Sequence, residues 1–210
     1  KSEGQQGGKQ MNNVKIKRMT TIALLMAMVV VLQFISTAIP PVSGFTISLV
    51  LIPIVLGAAL YGPKAGGILG ATFGVIVFIN CVNGSDGGGH MVFQASPILC
   101  FLVVMGKGTL AGLASGAVYQ LLRKKCSSYV AMMGAAIICP VVNTGVFLGG
   151  CVLFFFDTIR QWGEGLGFSN VFTYMMLGLV GGNFLFELAT NVILSPAIST
   201  ILRAVRRKAF

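Results

Sequence analysis

Three polar residues stand inside long apolar stretches of this sequence: Lys107, Asn143 and Glu187. A charged side chain in hydrocarbon costs several kcal/mol unless it is paired or faces a cavity. Such residues therefore mark a binding site, a transport path or a structural ion pair. Their types allow either a Lys107–Glu187 pair that holds two helices together or direct contact with a small ligand.

The three residues also lie at matching depth. Lys107 and Glu187 each precede the arginine that ends their apolar stretch by 16 residues, and Asn143 follows Ser128 by 15. At about 1.5 Å per helical residue, each lies roughly 22–24 Å from the basic side of a membrane. We therefore predict that they converge in the outer half of the membrane.

Composition indicates the class of protein that must position them. Of 210 residues, 55% are hydrophobic and only 10% are charged, whereas a soluble domain carries about 25% charged residues. The sequence predicts an all-α integral membrane protein with room for about six transmembrane helices. The net charge of +10 does not indicate nucleic-acid binding, because the basic residues cluster at the ends of apolar stretches.

We predict six spans, at approximately 20–39, 47–60, 65–79, 95–122, 129–156 and 171–202. Glycines along the third span are expected to permit close helix approach. Residues 80–94 and 157–170 are predicted to be exposed polar loops, with a flexible hinge at 87–89. Basic residues fall almost entirely on the side of the termini, which predicts that both termini are cytoplasmic. Residues 1–10 are expected to be a tag remnant or a disordered tail, which leaves one membrane domain over 11–208.

The predicted outer loops supply further candidate ligand contacts. A small polar ligand needs a few placed donors and acceptors and an aromatic wall. Trp162 also suits an interfacial anchor, and His90 also suits a solvated loop residue. With Lys107, Asn143 and Glu187, the candidate binding residues are Asn80, Asn83, Asp86, His90, Gln94, Arg160, Trp162, Asn170 and Tyr174.

Motifs for catalysis are absent from the sequence. It contains no HExxH, GxSxG or Walker A motif and no acidic pair at catalytic spacing. The five cysteines form no CxxC pair and are predicted to be small buried hydrophobes. We expect a protein that is not an enzyme and that needs no cofactor or metal. Active transport would require energy from a partner or from an ion gradient.

Several motifs in a fixed order carry a family resemblance. Ala23 and Ala27 form a small-xxx-small pair in the first span, which lets another helix approach closely or packs within the chain. The stretch LYGPKAG occupies 60–66, and KGTLAG occupies 107–112. Together with the basic start, a proline-bearing outer loop and a basic tail, they resemble the substrate-binding S component of energy-coupling factor (ECF) vitamin transporters. The resemblance covers nearly all of 11–207.

The resemblance implies a binding subunit in the cell membrane of a bacterium. Such a subunit binds a vitamin or precursor from outside and has no ATPase activity of its own. It would dock through Ala23 and Ala27 onto a transmembrane T component that carries two ATPases, and topple in the membrane to deliver the ligand. Pro40, Pro41 and Phe45 would belong to the gate loop.

The identity of the ligand stays open at this point. Lys107 and Arg160 favour an anionic vitamin such as pantothenate, folate or lipoate, while stacking on Trp162 would suit riboflavin. The main alternative is a self-contained secondary carrier or channel in which Lys107 and Glu187 relay protons. An intramembrane enzyme and a purely structural subunit are the remaining alternatives.

Overall fold

The computed structural model describes residues 2–38 and 49–209, and the regular elements in those ranges are all helical. The predicted all-helical fold is confirmed, whereas the gate residues Pro40, Pro41 and Phe45 lie outside the described residues. The elements are α1 (Ser2–Ala38), α2 (Leu51–Tyr61), α3 (Pro63–Asn83), α4 (Gly87–Ala95), α5 (Pro97–Arg123), α6 (Ser128–Phe154), α7 (Phe156–Gly165), α8 (Val171–Tyr174), a π-helical segment (Met175–Val180) and α9 (Gly181–Ala209).

Five helices in the described ranges are long and apolar enough to cross a membrane: Lys15–Thr37, Pro63–Asn83, Pro97–Arg123, Ser128–Phe154 and Asn183–Ala204. The predicted second span corresponds to α2, which has 11 residues. Such a helix rises about 16 Å, roughly half of the hydrocarbon thickness. Eight of its residues are buried, so α2 packs inside the bundle. The number of spans and the side of the termini stay predictions.

Helices α3 and α5 pack antiparallel with their backbones in contact. Gly70 faces Gly108, and Gly66 faces Gly112; a Cβ atom on any of these four would collide with the opposite backbone. Glycine permits this approach because it has no side chain to separate the helices. The predicted glycine-lined face of the third span is confirmed. Since Gly108 is held against α3, the neighbouring Lys107 has a fixed position on α5.

A tight turn joins α2 to α3. Gly62 adopts φ +89°, a left-handed conformation that residues with a side chain rarely adopt. Its N–H donates to the carbonyl oxygen of Ala58 at 2.9 Å, and Pro63 begins α3. Proline suits the first helical position because that N–H would have no helical partner. The LYGPKAG stretch therefore encodes a helix stop followed at once by a helix start.

The prediction of a loop over 80–94 is wrong for most of that range. Helix α3 continues to Asn83, Gly84 turns with φ +76°, and α4 begins at Gly87. The Asp86 side chain caps α4 by accepting a hydrogen bond from the Gly89 N–H at 3.0 Å. This cap satisfies a backbone donor that would otherwise have no partner, which offsets the low helix propensity of glycine. The glycines at 87–89 are the first turn of a helix and not a hinge.

The predicted loop over 157–170 is also partly helical, because it contains α7. Ile159 and Gly163 are buried on one face of α7, one helical turn apart. On the exposed face, Arg160 and Glu164 form an ion pair at 2.9 Å with the same spacing. Pairs four residues apart stabilise a helix by a few tenths of a kcal/mol. The segment is an amphipathic helix whose polar composition resembles that of a loop.

The last predicted span, 171–202, is not one continuous α-helix. It consists of α8, the π-helical segment and α9, which starts at Gly181 with φ 13° and ψ −115°. Glycines at 178, 181 and 182 weaken the helix locally, since glycine costs about 1 kcal/mol relative to alanine. Leu179 and Val180 of the π-helical segment line an internal cavity. Short π-helical segments often occur at functional sites.

A buried polar stripe runs along α9, where Asn191, Ser195 and Ser199 are each fully buried. Pro196 has no N–H, so the carbonyl of Val192 loses its helical donor. The Ser195 hydroxyl donates to that carbonyl at 2.8 Å. Neighbouring serines commonly satisfy carbonyls that a proline frees inside a membrane helix. Ser195 thereby stabilises the proline-containing turn of α9.

Gly70→Ala should strongly destabilise the protein, because the new methyl group would meet the backbone of Gly108. Overpacking of this kind costs about 1–3 kcal/mol, and each kcal/mol lowers Tm by roughly 2–4 °C in a chain of this size. Gly145→Ala is the matched control, since a Cβ there meets nothing within 4 Å. Thermal melting in detergent measures both, and equal Tm values for the two variants would contradict the close packing.

Ser195→Ala should lower the melting temperature in the natural background, because it leaves the Val192 carbonyl without a donor at a cost of about 1–3 kcal/mol. In a Pro196→Ala background the helix supplies its own N–H, so the same serine substitution should have little effect. Melting curves of the natural protein, the two single variants and the double variant measure the coupling between Ser195 and Pro196. Equal losses in both backgrounds would show that Ser195 does not act through the proline.

Candidate functional site

A cavity of about 140 Å³ lies at the centre of the helix bundle. An engineered cavity of similar volume in another protein, roughly 150 Å³, binds a single six-membered ring. Phe73, Phe147 and Phe184 supply aromatic walls. Helices α1, α3, α5, α6 and α9 and the start of α4 contribute the lining, whose polar side chains are Gln33, Ser36, Asp86, Lys107, Asn143, Thr144, Asn183 and Glu187.

The structure brings Lys107, Asn143 and Glu187 together on this one cavity, from α5, α6 and α9. The Lys107 ammonium lies 4.8 Å from the centroid of the Phe147 ring. A cation at that distance is attracted to the negative face of the ring. Among the residues that the structure describes, Arg160 and Glu164 form an ion pair, whereas Lys107 and Glu187 do not. Lys107 and Glu187 therefore do not form a direct ion pair; the two groups interact electrostatically at longer range, and both side chains line the cavity.

Two buried amide oxygens on the cavity wall have no hydrogen-bond partner. They are Oδ1 of Asn143, a residue that is 6% exposed, and Oε1 of Gln33. The side chain of Asn143 interacts with the Glu187 carboxyl group. Buried polar atoms in folded proteins nearly always have a partner, so each unpaired atom requires an explanation. Because both residues line the cavity, a bound molecule can supply the missing donors.

Asp86 reaches the cavity through the close packing of α4 against α3. A Cβ atom on Gly89 would collide with the sulfur of Cys81 on α3, so the first turn of α4 requires glycine there. The cap that Asp86 forms on Gly89 fixes the carboxyl group beside that turn. One Asp86 oxygen is thus committed to the helix start, and the carboxyl group also faces the cavity.

The other candidates from the predicted first loop do not line this cavity. Asn80 is buried and donates through Nδ2 to the hydroxyl of Thr37 at 3.2 Å, which links α3 to α1. Nδ1 of His90 lies 2.7 Å from a carbonyl oxygen of α3, and Nε2 of His90 lies 2.9 Å from Nε2 of Gln94. Asn83 is exposed at the end of α3. These contacts brace the helices, and Asn83 lies on the surface.

The candidates from the second predicted loop lie in a different region. Arg160 and Asn170 line a separate cleft of about 300 Å³. Nε of Arg160 donates to Glu164, and this hydrogen bond raises the pKa of Arg160. Trp162 is partly buried against the core, and Tyr174 is 4% exposed beside a phenylalanine ring. None of these residues contributes to the lining of the central cavity.

Sequence reasoning missed Gln33, Asn183 and the aromatic walls. Gln33 is the polar residue in the apolar stretch 22–35, and it follows Arg18 by 15 residues. The depth argument that identifies Asn143 applies equally to Gln33, so Gln33 could have been predicted from the sequence. Asn183 precedes Glu187 by one helical turn and therefore shares its helix face.

The fold and the cavity define a multi-pass membrane protein that encloses a polar site for a small solute. A family model described as "ECF transporter, substrate-specific component" matches residues 17–199. The chain belongs to the family of ECF transporter substrate-specific components, and it is a membrane-embedded binding subunit. The resemblance in its motifs is thereby confirmed. A search of curated proteins gave no match.

Asp86→Ala should lower the melting temperature because α4 loses its cap, which costs about 1 kcal/mol. Asp86→Asn should melt close to the natural protein, since an asparagine oxygen accepts the same hydrogen bond. Circular dichroism melts of the two variants measure the difference. Equal destabilisation by both substitutions would show that the charge of Asp86, and not its capping oxygen, stabilises this region.

Proposed function

We propose that this subunit captures a vitamin or vitamin precursor from outside the cell and hands it to an ECF-type transporter. The observation that carries the proposal is the polar, aromatic-walled cavity in a chain of this family. The cavity lies at the depth that the sequence assigns to the outer half of the membrane, if both termini are cytoplasmic. The proposed location is a bacterial cell membrane.

A partner must supply the energy for uptake, because the sequence has no nucleotide-binding motif. We propose a transmembrane T component with two ATPases as that partner. The exposed face of α1 supports this assignment: Ala23 and Ala27 are exposed and lie beside the exposed side chains of Leu24, Met28 and Val31. Two small residues one turn apart on an apolar face suit close contact with another membrane helix. Pro40, Pro41 and Phe45 remain the proposed gate.

The cavity narrows the choice of vitamin. The sequence-based preference for pantothenate, folate or lipoate depends on two cations, Lys107 and Arg160. Since Arg160 lines another cleft and pairs with Glu164, only Lys107 supports that preference at the cavity. A volume of about 140 Å³ favours a ligand with a single ring over the larger ring systems of folate and riboflavin.

A self-contained secondary carrier is the second candidate, and one observation favours it. The buried polar stripe of Asn191, Ser195 and Ser199 continues along α9 from Glu187 at successive turns. An ionisable residue inside the membrane, such as Glu187, can belong to a proton relay in a transporter, and this stripe extends from it. Substrate flux into liposomes that contain the purified chain alone would support the carrier. Flux that requires the T component and ATP would support the binding subunit.

A thermal-shift screen of the detergent-purified protein against B vitamins and their precursors tests the proposed function. A ligand that binds only the folded state stabilises it by about 4 kcal/mol at a thousandfold excess over Kd. We expect one compound to raise Tm by on the order of 10 °C. A folded protein that no vitamin or precursor stabilises would contradict the proposal.

The double variant Ala23→Leu, Ala27→Leu should lose co-purification with the T component while ligand-induced stabilisation is unchanged, because the larger side chains hold the partner helix away. Ala117→Leu is the matched control, since Ala117 is an exposed alanine on α5. Pull-down with the tagged T component measures docking, and the thermal shift measures ligand binding. Normal co-purification of the double variant would exclude this face as the docking surface.

A further inference from the structure

The central cavity offers many hydrogen-bond acceptors and few charged donors. Among the described lining residues, the charged groups are two carboxyl groups, Asp86 and Glu187, and one ammonium, Lys107. A carboxyl group presents an acceptor oxygen in either protonation state. The charged groups of the wall therefore favour a ligand with a cationic, hydrogen-bond-donating group over an anionic one.

The unpaired amide oxygens strengthen this imbalance. Oδ1 of Asn143 and Oε1 of Gln33 are both buried without a partner. The Asn143 side chain also interacts with the Glu187 carboxyl group, and the nitrogen is the amide atom that can donate to a carboxylate. The orientation that leaves Oδ1 unpaired is thus the favourable one. Both amide oxygens therefore accept no hydrogen bond within the protein, and an N–H or O–H donor of a bound molecule can satisfy them.

The surroundings of Lys107 limit what an anionic ligand could gain. Its ammonium already lies against the face of Phe147, and it does not form an ion pair with Glu187. A carboxylate placed near Lys107 would also approach the carboxyl groups on the same wall. Phe73, Phe147 and Phe184 also line the cavity, and aromatic rings attract both flat rings and cations.

We infer that the ligand is a small single-ring compound with an amino or otherwise N–H-rich, positively charged group and one acceptor atom, such as an aminated heteroaromatic base. The amino end donates to Asn143, Glu187 and Asp86, and the acceptor atom takes a hydrogen bond from Lys107. This inference rests on the proposed uptake function and narrows it. It replaces the anionic preference that the sequence suggested.

A matched panel tests the charge class of the ligand by thermal shift and by titration. The amino members are pyridoxamine and hydroxymethyl-aminopyrimidine, and the acid members are pyridoxate, nicotinate, pantothenate and lipoate. Pyridoxamine and pyridoxate share one pyridine ring and differ in the charge of one substituent. We expect an amino member to bind at least about tenfold more tightly than every acid member.

Each outcome of the panel decides the inference. A tight acid binder would overturn the inference and leave the proposed uptake function standing. Stabilisation by no amino member would overturn the inference whatever the acids do, and stabilisation by no member of either group would contradict the uptake function as well.

Variants of the two carboxyl residues then test whether these groups on the cavity wall bind the ligand. With the best amino compound, Glu187→Gln and Asp86→Asn should each raise Kd by roughly tenfold or more. Asp86→Asn keeps the cap of α4, and apo melting curves separate lost binding from lost folding. Glu164→Gln, which removes an exposed carboxylate of a surface ion pair, is the matched control. Unchanged Kd values for Glu187→Gln and Asp86→Asn would overturn the inference.

Discussion

The close antiparallel contact between α3 and α5 is the constraint on which the site depends. Because Gly66 and Gly70 meet Gly112 and Gly108 backbone to backbone, neither helix can rotate without bringing a side chain into the gap. This contact fixes the axial position and the rotation of α5, and with them the position of Lys107. The residues of α3 that follow the contact include Phe73 and Val77, which reach the same cavity. One run of glycines therefore sets two walls of the binding site.

The hydrocarbon environment explains why polar residues could be placed from the sequence alone. A polar group in an apolar helix must face the protein interior, and helical rise converts sequence distance into depth. These two rules bring Lys107, Asn143 and Glu187 to one cavity, and they apply equally to Gln33. The same reasoning fails for residues near the membrane surface, where water can satisfy a polar side chain in any orientation. For that reason Arg160, His90 and Asn83 could not be assigned from their types.

The helices that sequence reasoning missed share one physical cause, since each is specified by local side-chain interactions that hydropathy does not register. Helix α4 depends on the capping oxygen of Asp86, and α7 depends on an apolar pair one turn apart with an ion pair on the opposite face. Composition predicted loops in both places because glycines and polar residues dominate there. The break in the last span has a different local cause, namely the glycines at 178, 181 and 182, which weaken the helix where packing does not compensate. Long apolar helices need no such detail, and their approximate positions follow from composition.

The unsatisfied acceptors connect stability to binding. Leaving Asn143 and Gln33 oxygens buried without donors costs free energy in the empty protein, about 1–3 kcal/mol for each group. A ligand with matching donors removes that cost when it binds, so its affinity includes the relief of an existing penalty and not only the new contacts. A ligand without donors cannot remove it, however well it fills the aromatic walls. Sites built to hydrogen-bond their ligand reject analogues that lack the group, because the buried polar atoms then stay unpaired. Selectivity in this cavity therefore follows from its unpaired acceptor oxygens more than from its shape.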